Sequence, residues 1–371
     1  MKQENKVLCG ADVLAQGEIV LQGRCGLITN PTGVLKDFTS TIDMLKDQCN
    51  LVALFAAEHG IRGDKQASAK VENYVDERTG LKVYSLYEDD TDARKQIKAL
   101  DTLIYDIQDV GARFYTYAYT MTDTMKFCAE HEVKFVVLDR PNMLGGKVVE
   151  GTLLETEFSS FVGRFPTPTR SALTIGEFAS MMNDTQDIGC DLTVVKMQGW
   201  KRDMYFDQTG LSFIAPSPNI PTLETAFLYI GTCIFEGTNV SEGRGTTKPF
   251  EMIGAPWLDP QIIIDTVGES AGAVLRECHF TPTFSKYKDE LCHGIQIHIT
   301  DREKFSAFEV GIKIFDALRK THKEFEYNDF VYRLLGTKDI DAQDFDLHTF
   351  IATQKEKILA WQELSKKWYL Y

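Results

Sequence analysis

Short apolar runs alternate with amphipathic stretches over the first 200 residues of the chain. The runs are rich in β-branched and aromatic residues, and most lack polar alternation, as expected of strands buried on both faces of a sheet. The predicted strands cover residues 25–29, 51–55, 102–106, 134–139 and 192–197. Strands that alternate with helices in this way predict an α/β fold with a parallel, doubly wound sheet.

Helical periodicity appears between these strands, and the predicted helices cover residues 39–47, 92–99, 117–131 and 174–183. The third of them carries an apolar face that includes Met121 and Met125. The fourth opens with Thr174-Ile-Gly-Glu177, a sequence typical of a capping box at a helix N-terminus. The helical pattern therefore supports the doubly wound prediction.

The pattern changes near residue 216, where the segment PSPNIP (216–221) predicts a rigid connector. Beyond it, residues 294–300 alternate like a half-exposed strand, and residues 306–319 and 349–367 form amphipathic helical patterns. This mixture predicts a second unit of the α+β class.

The length of 371 residues favours two domains, since domains commonly have roughly 100–200 residues. We predict a doubly wound N-terminal domain over residues 1–222 and a smaller α+β domain over residues 223–371. The formal net charge of −14 argues against nucleic acid or an anionic membrane surface as the main partner.

We predict no targeting signal from the sequence. No apolar run approaches the roughly 18 residues of a membrane helix, so no membrane span is predicted. The N-terminus has no apolar core of a signal peptide, which predicts a cytoplasmic protein, or a periplasmic or secreted one if a leader has been removed. The eight cysteines form no CxxC pair, and we interpret them as buried free thiols, which favours a reducing compartment.

Cofactor and metal motifs are also missing from the sequence. It contains no Walker A loop, no GxGxxG after the first strand and no HExxH. We therefore predict no cofactor and no bound metal, and activity should survive EDTA.

Polar residues follow four of the predicted strands, where the carboxyl ends of parallel strands form the usual ligand site. These residues are Asn30 after the first strand, Glu58, His59 and Arg62 after the second, Asp106, Asp109, Arg113 and Tyr115 after the third, and Arg140 and Asn142 after the fourth. Capping carboxylates, packed aromatic rings and internal Arg–Asp pairs are the structural alternatives. Gly111, within this set, predicts a special backbone conformation or a close approach.

The segment EGTNVSEGRGTTKPFE (236–251) has the densest functional pattern. Three glutamates, three glycines and several other polar residues fall within it, and glycine-rich loops bring main-chain NH groups close to ligands. Its candidate residues are Glu236, Asn239, Glu242, Arg244, Lys248 and Glu251.

Several motifs together resemble the exo-β-N-acetylmuramidase family. They include GLITNPTGV (26–34), AAEHGIRG (56–63), DIQDVGARFYTY (106–117), PSPNIP and the 236–251 segment, in order along the chain. The resemblance implies a Rossmann-like N-terminal domain, a smaller C-terminal domain and an active site between them. It implies hydrolysis that releases terminal N-acetylmuramic acid (MurNAc) from the non-reducing end of peptidoglycan fragments in bacterial cell wall recycling.

The resemblance places the two catalytic carboxylates on Glu58 and Glu242, with Glu236 and Glu251 as close alternatives to the second. The lactyl carboxylate of MurNAc calls for cations, which Arg62, Arg113, Arg140, Arg244 and Lys248 could supply. Further substrate contacts are expected from Asn30, His59, Asp106, Asp109, Tyr115, Asn142, Asn219 and Asn239.

Two questions remain open at the level of sequence. The mechanism could be retaining, inverting or assisted by the acetamido group of the substrate. The alternative to an enzyme is a non-catalytic protein that binds sugars or muropeptides on the same fold.

Overall fold

The computed structural model describes residues 7–17, 19–58, 60–62, 73–86 and 91–371, and contains a seven-stranded sheet in the N-terminal half. The strands of the chain up to residue 195 are β1 (Arg24–Thr29), β2 (Asn50–Ala56), β3 (Tyr74–Val75), β4 (Lys82–Ser85), β5 (Thr102–Asp106), β6 (Lys134–Leu138), β7 (Glu150–Leu153), β8 (Pro168–Arg170) and β9 (Leu192–Val195). Strands β7 and β8 form a separate two-stranded sheet, and the other seven form the main one.

The strand order of the main sheet is β3-β4-β2-β1-β5-β6-β9. All neighbours are parallel except β3, which pairs antiparallel with β4. Without β3, the order is that of a Rossmann fold, because the chain starts at the central β1, runs to one edge and then returns to β5. The predicted doubly wound sheet is confirmed, and its five predicted strands are all present.

Helices cover both faces of this sheet. They are α1 (Gly10–Ala15), α2 (Thr41–Gln48), α3 (Thr91–Lys98), α4 (Tyr117–Glu130) and α5 (Ile175–Thr185). Apolar residues of α1 and α2 belong to one hydrophobic cluster, and those of α3, α4 and α5 belong to another. The predicted capping box of α5 is confirmed, since Thr174 Oγ1 accepts from Glu177 N at 3.2 Å and Glu177 Oε2 accepts from Thr174 N at 3.0 Å.

The C-terminal half is a smaller α+β unit, as predicted. Its elements are α6 (Leu223–Thr232), β10 (Met252–Ala255), α7 (Pro260–Val267), β11 (Ala273–Phe280), β12 (Cys292–Ile299), α8 (Ala307–Thr321), α9 (Phe330–Leu335) and α10 (Leu347–Ser365). The strands form an antiparallel sheet in the order β10-β12-β11. The largest hydrophobic cluster contains Tyr105 and Phe135 together with Phe235 and Phe315, so the two halves share a continuous core.

The end of the chain returns to the N-terminal half. After α10, the Tyr371 hydroxyl donates to Asp139 Oδ2 at 2.8 Å, and Leu370 N donates to Glu177 Oε1 at 2.8 Å. Asp139 and Glu177 are both fully buried. The chain therefore passes between the two halves twice, once before α6 and once after α10.

The eight cysteines are free thiols; seven are buried, as predicted, and Cys49 is half-buried. In the part of the chain that the structure describes, no helix has the length and apolar character needed to cross a membrane. Gly111 has a φ of +81°, and a Cβ there would lie 2.7 Å from Asn142 Nδ2, so the conformation predicted for this glycine is confirmed.

Candidate active site

A cleft of about 790 Å³ lies beyond the carboxyl ends of β2 and β5 and is closed on its far side by the C-terminal half. Its volume is in the upper part of the range of small-molecule sites. The described residues of its walls are Glu58, Phe114, Tyr115, Thr116, Tyr117, Phe161, Val162, Ser217, Asn219, Ile220, Tyr229, Glu236, Arg244, Phe250, Phe284, Ser285 and Phe330. Both halves of the protein therefore contribute to one site.

Glu58 reaches this cleft because the buried strand β2 ends at Ala56, two residues earlier. The Thr116 hydroxyl donates to Glu58 Oε2 at 3.1 Å, and the Tyr117 hydroxyl lies 3.2 Å from the Glu58 main-chain carbonyl. Thr116 is the N-cap residue of α4, which follows β5. Two strand ends thus fix the position of this carboxylate.

Glu236 supplies a second carboxylate from the opposite wall. It lies in a 3₁₀ turn, Cys233–Gly237, that continues from α6. Arg244 Nε donates to Glu236 Oε1 at 2.9 Å. Burial raises the pKa of Glu236 above its ordinary value, and the nearby Arg244 charge opposes this rise. A buried carboxyl with a raised pKa is suited to donate a proton near neutral pH.

Glu242 lies behind Arg244, with only 2% of its side chain exposed. Arg244 Nε is 3.5 Å from Glu242 Oε1, and Lys286 Nζ donates to Glu242 Oε2 at 2.9 Å. Lys286 also donates to the main-chain carbonyls of Phe235 and Val240, at 2.6 and 3.0 Å. Glu242 and Lys286 therefore brace the segment that carries Glu236, and neither is among the described residues of the cleft wall.

The segment 282–291 holds Lys286 in this position. Gly245 has a φ of +82°, and a Cβ there would lie 2.6 Å from the Phe284 carbonyl oxygen, so only glycine permits this close approach. Ser285 and Tyr287, on either side of Lys286, also have positive φ, at 69° and 56°. This conformation is unfavourable for residues other than glycine, so the surrounding contacts must maintain it.

Two predicted binding arginines are buried, Arg140 inside the N-terminal half and Arg113 between the two halves. Arg140 forms a bidentate pair with Asp106, with Nε–Oδ1 at 2.6 Å and Nη2–Oδ2 at 2.8 Å. Arg113 donates to main-chain carbonyls, among them Thr167 at 2.9 Å and Leu334 at 2.8 Å. The charges predicted at this strand end thus hold loops together and lie away from the described wall of the cleft.

Most other predicted contacts are also engaged within the fold. Arg62 pairs with Asp76 at 2.8 Å, and Lys248 pairs with Glu251 at 2.9 Å. The remaining amides behave similarly: Asn30 accepts from Thr32 N, Asn142 donates to the Leu173 carbonyl, and Asn239 donates to the Glu324 carbonyl. Asn219, Tyr115 and Arg244 do line the cleft. His59 lies outside the described residues, so its predicted contact stays a prediction.

Sequence reasoning overlooked Lys286, Thr116, Tyr229 and the phenylalanines at the cleft. Tyr229 lies on α6, inside an apolar stretch that gives no signal of a site. Thr116 and Tyr117 lie within DIQDVGARFYTY (106–117), so that motif did carry a signal for this part of the site. Among the described residues, no group of three or more His, Cys, Asp or Glu side chains has an arrangement that could hold a metal ion.

Asp109 is a buried carboxyl group near the cleft, and its burial should make the stability of the protein depend on pH. Its Oδ1 accepts from Gly111 N at 2.6 Å, while its buried Oδ2 has no hydrogen-bond partner in the part of the chain that the structure describes. Burial raises the pKa of Asp109 from 3.8 to about 7. Because the folded state holds this proton more tightly than the unfolded state, the contribution of Asp109 to stability is lost as pH rises from about 4 through 7.

We therefore expect Asp109→Asn, which keeps the acceptor for Gly111 N, to gain stability relative to the wild type between pH 5 and pH 8. Urea unfolding of both proteins at the two pH values measures this difference. The exposed Asp47→Asn serves as the matched control and should show the same difference from the wild type at both pH values. A constant difference for Asp109→Asn would show that Asp109 is ionised throughout this range.

Comparisons with known proteins agree with the motifs. The chain matches two family models in series, exo-beta-N-acetylmuramidase NamZ, N-terminal, over residues 25–224, and its C-terminal counterpart over residues 227–371. It is 47% identical over 341 residues to the peptidoglycan beta-N-acetylmuramidase NamZ of Bacillus subtilis (strain 168), which covers 90% of this chain and 81% of that protein.

Two crystal structures of DUF1343 family proteins from Bacteroides fragilis NCTC 9343 share this fold. Their TM-scores are 0.88 and 0.78, at 36% and 29% sequence identity, and each comparison covers 99% of both chains. The resemblance inferred from the motifs is confirmed. With both family models matched over nearly its whole length and a close relative at 47% identity, the chain belongs to the NamZ family of exo-β-N-acetylmuramidases.

Proposed function

We propose that this protein is an exo-acting glycoside hydrolase that releases terminal β-linked MurNAc from the non-reducing end of peptidoglycan fragments. The observation that carries this proposal is a single cleft with one carboxylate from each half of the protein, Glu58 and Glu236. Glycoside hydrolysis generally needs two carboxyl groups on either side of the scissile bond. Family membership supplies the substrate class.

In the mechanism that we propose, Glu236 is the general acid. Burial raises its pKa and so favours the protonated form, which gives its proton to the glycosidic oxygen as the bond to C1 breaks. Glu58 then acts as a base toward water, as a nucleophile at C1, or by orienting the acetamido group of the substrate. In each case one water is consumed, its hydroxyl is retained on the released MurNAc, and Glu236 is reprotonated.

We place the second catalytic carboxylate at Glu236, whereas the sequence resemblance had placed it at Glu242. The two residues are six positions apart, and Glu236 lines the cleft while Glu242 pairs with Lys286 behind it. We assign Glu242 a positioning role. Glu251 is also buried and accepts from the Thr225 hydroxyl at 2.7 Å, which favours a structural role for it.

The charges around Glu236 suit an anionic substrate. When Glu236 is protonated, Arg244 and Lys286 bring two positive charges and Glu242 one negative charge, so the group carries a net charge of +1. The lactyl carboxylate of MurNAc would balance this charge, and Arg244 reaches the cleft to meet it. The free thiols support a cytoplasmic location, which stays a prediction.

Incubation with chromogenic β-glycosides of MurNAc and of N-acetylglucosamine (GlcNAc), side by side, tests the proposal. We expect release from the MurNAc glycoside and little from the GlcNAc glycoside, because only MurNAc presents a carboxylate to Arg244. Activity should persist in EDTA. Equal or faster release from the GlcNAc glycoside would overturn the specificity, and binding without turnover of either glycoside would favour the non-catalytic alternative.

A further inference from the structure

Aromatic rings that are exposed to solvent lie at the mouth of the cleft. Three described phenylalanines are exposed, Phe38, Phe161 and Phe284, and the latter two line the cleft with exposed fractions of 58% and 42%. The half-buried Phe330 lies beside Phe161, with ring centroids 6.0 Å apart and an interplanar angle of 14°. Exposed apolar surface that lines a concave site commonly marks a binding function.

Two of these rings, Phe284 and Phe330, are attached to the elements that position Glu236. Phe284 belongs to the segment that approaches Gly245, and Phe330 is the first residue of α9. Helix α9 packs closely on the Glu236 turn, since a Cβ at Gly237 would lie 2.6 Å from Val331 N. The spacing between the rings and the acid is therefore set by rigid contacts.

The exposure of the cleft residues differs between the carboxylate end of the cleft and its entrance. The side chains of Glu236 and Arg244 are 20% and 19% exposed, whereas Phe161 and Phe284 are far more exposed. An exo-acting enzyme encloses the terminal sugar at the carboxylates, so the rest of the glycan must leave through the mouth. The next sugar along the chain would then meet the three rings.

We infer that Phe161, Phe284 and Phe330 form a subsite for the leaving sugar, the residue to which the terminal MurNAc is linked. This inference rests on the proposed function. A pyranose has flat faces of C–H groups that pack on aromatic rings, and the stacked pair offers such a surface. The chain neighbours of Phe161 and Phe284 in the cleft wall, Val162 and Ser285, are uncharged. A neutral sugar ring fits this surface better than a charged peptide stem would.

The test compares two substrates in four variants. One substrate is the disaccharide MurNAc-β-1,4-GlcNAc, which has a leaving sugar, and the other is methyl β-MurNAc, which has none. We expect Phe161→Ala and Phe284→Ala each to raise KM for the disaccharide about 5- to 10-fold, as expected for loss of one apolar ring contact. KM for the methyl glycoside should change less than about twofold, a difference below 0.5 kcal/mol.

Phe38→Ala removes an equally exposed ring away from the cleft and should leave both substrates unaffected. Phe284→Tyr should retain most of the disaccharide affinity, because it keeps the ring. Equal effects on both substrates, or none on either, would overturn the subsite, and a larger loss with substrates that carry a peptide stem would assign the rings to the peptide. If the wild type cleaves neither MurNAc substrate, the proposed function itself fails.

Discussion

Glu236→Gln and Glu58→Gln should each lower kcat by at least about 10²-fold, the lower end of the effect of general acid–base catalysis. Glutamine keeps the shape of each side chain and removes the ionisable group. KM should change much less, because the lost interaction matters mainly in the transition state. Steady-state kinetics on a chromogenic MurNAc glycoside measure both constants, and thermal unfolding confirms that the variants fold.

Two further variants complete this experiment. Glu356→Gln, on the exposed face of α10, is the matched control and should be as active as the wild type. Glu242→Gln should lower both the melting temperature and activity, because the half-buried charge of Lys286 then has no carboxylate partner. The assignment would be contradicted if Glu242→Gln folded normally and lost about 10²-fold in kcat while Glu236→Gln stayed active. Glu242 would then be the catalytic residue.

Replacement of Lys286 by methionine should have the second largest effect. It removes one partner of an ion pair in which Glu242 is 2% exposed, and breaking a buried pair typically costs about 3–5 kcal/mol of unfolding free energy. We expect a loss near the lower end of this range, because Arg244 still neutralises part of the Glu242 charge. We also expect kcat to fall about tenfold, because the Glu236 turn loses the hydrogen bonds from Lys286. A tenfold fall corresponds to an increase of about 1.4 kcal/mol in the activation free energy.

The pH profile distinguishes positioning of Glu236 from simple destabilisation. The Lys286 charge lowers the pKa of Glu236, so its removal should raise that pKa further. An acid that must be protonated stays active up to a higher pH when its pKa rises, so the alkaline limb of kcat/KM should move to higher pH. Lys288→Met, two residues away and 62% exposed, should change neither stability nor the profile. An unchanged limb in Lys286→Met would contradict the coupling to Glu236.

Much of the fold could be predicted because its signals are local. Buried strands such as 102–106 appear as apolar runs, and the capping box at Thr174 depends on two residues three positions apart. Helix α1 and the sheet of β7 and β8 were not predicted, because elements of three to six residues have no clear periodicity.

The candidate site was predicted less completely, because its details depend on tertiary contacts. The sequence pattern of an arginine that follows a strand is the same whether the side chain binds a ligand or donates to main-chain carbonyls. Arg113 is an arginine of the second kind. The choice between Glu236 and Glu242 depends on how a short turn is oriented against the cleft. Lys286, 44 residues beyond Glu242, has no sequence signal that connects it with the 236–251 segment.

The return of the chain end to the N-terminal half limits how the cleft can open. A protein whose halves share one connector can swing about a hinge there, but here the Tyr371 hydroxyl on buried Asp139 forms a second attachment. A wide swing would have to extract this ring and separate the shared apolar core, which includes Phe235. Substrate and product therefore exchange through an entrance to the cleft that stays open without a movement of the two halves. The rate of turnover should then depend on solvent viscosity only through the diffusion of substrate and product.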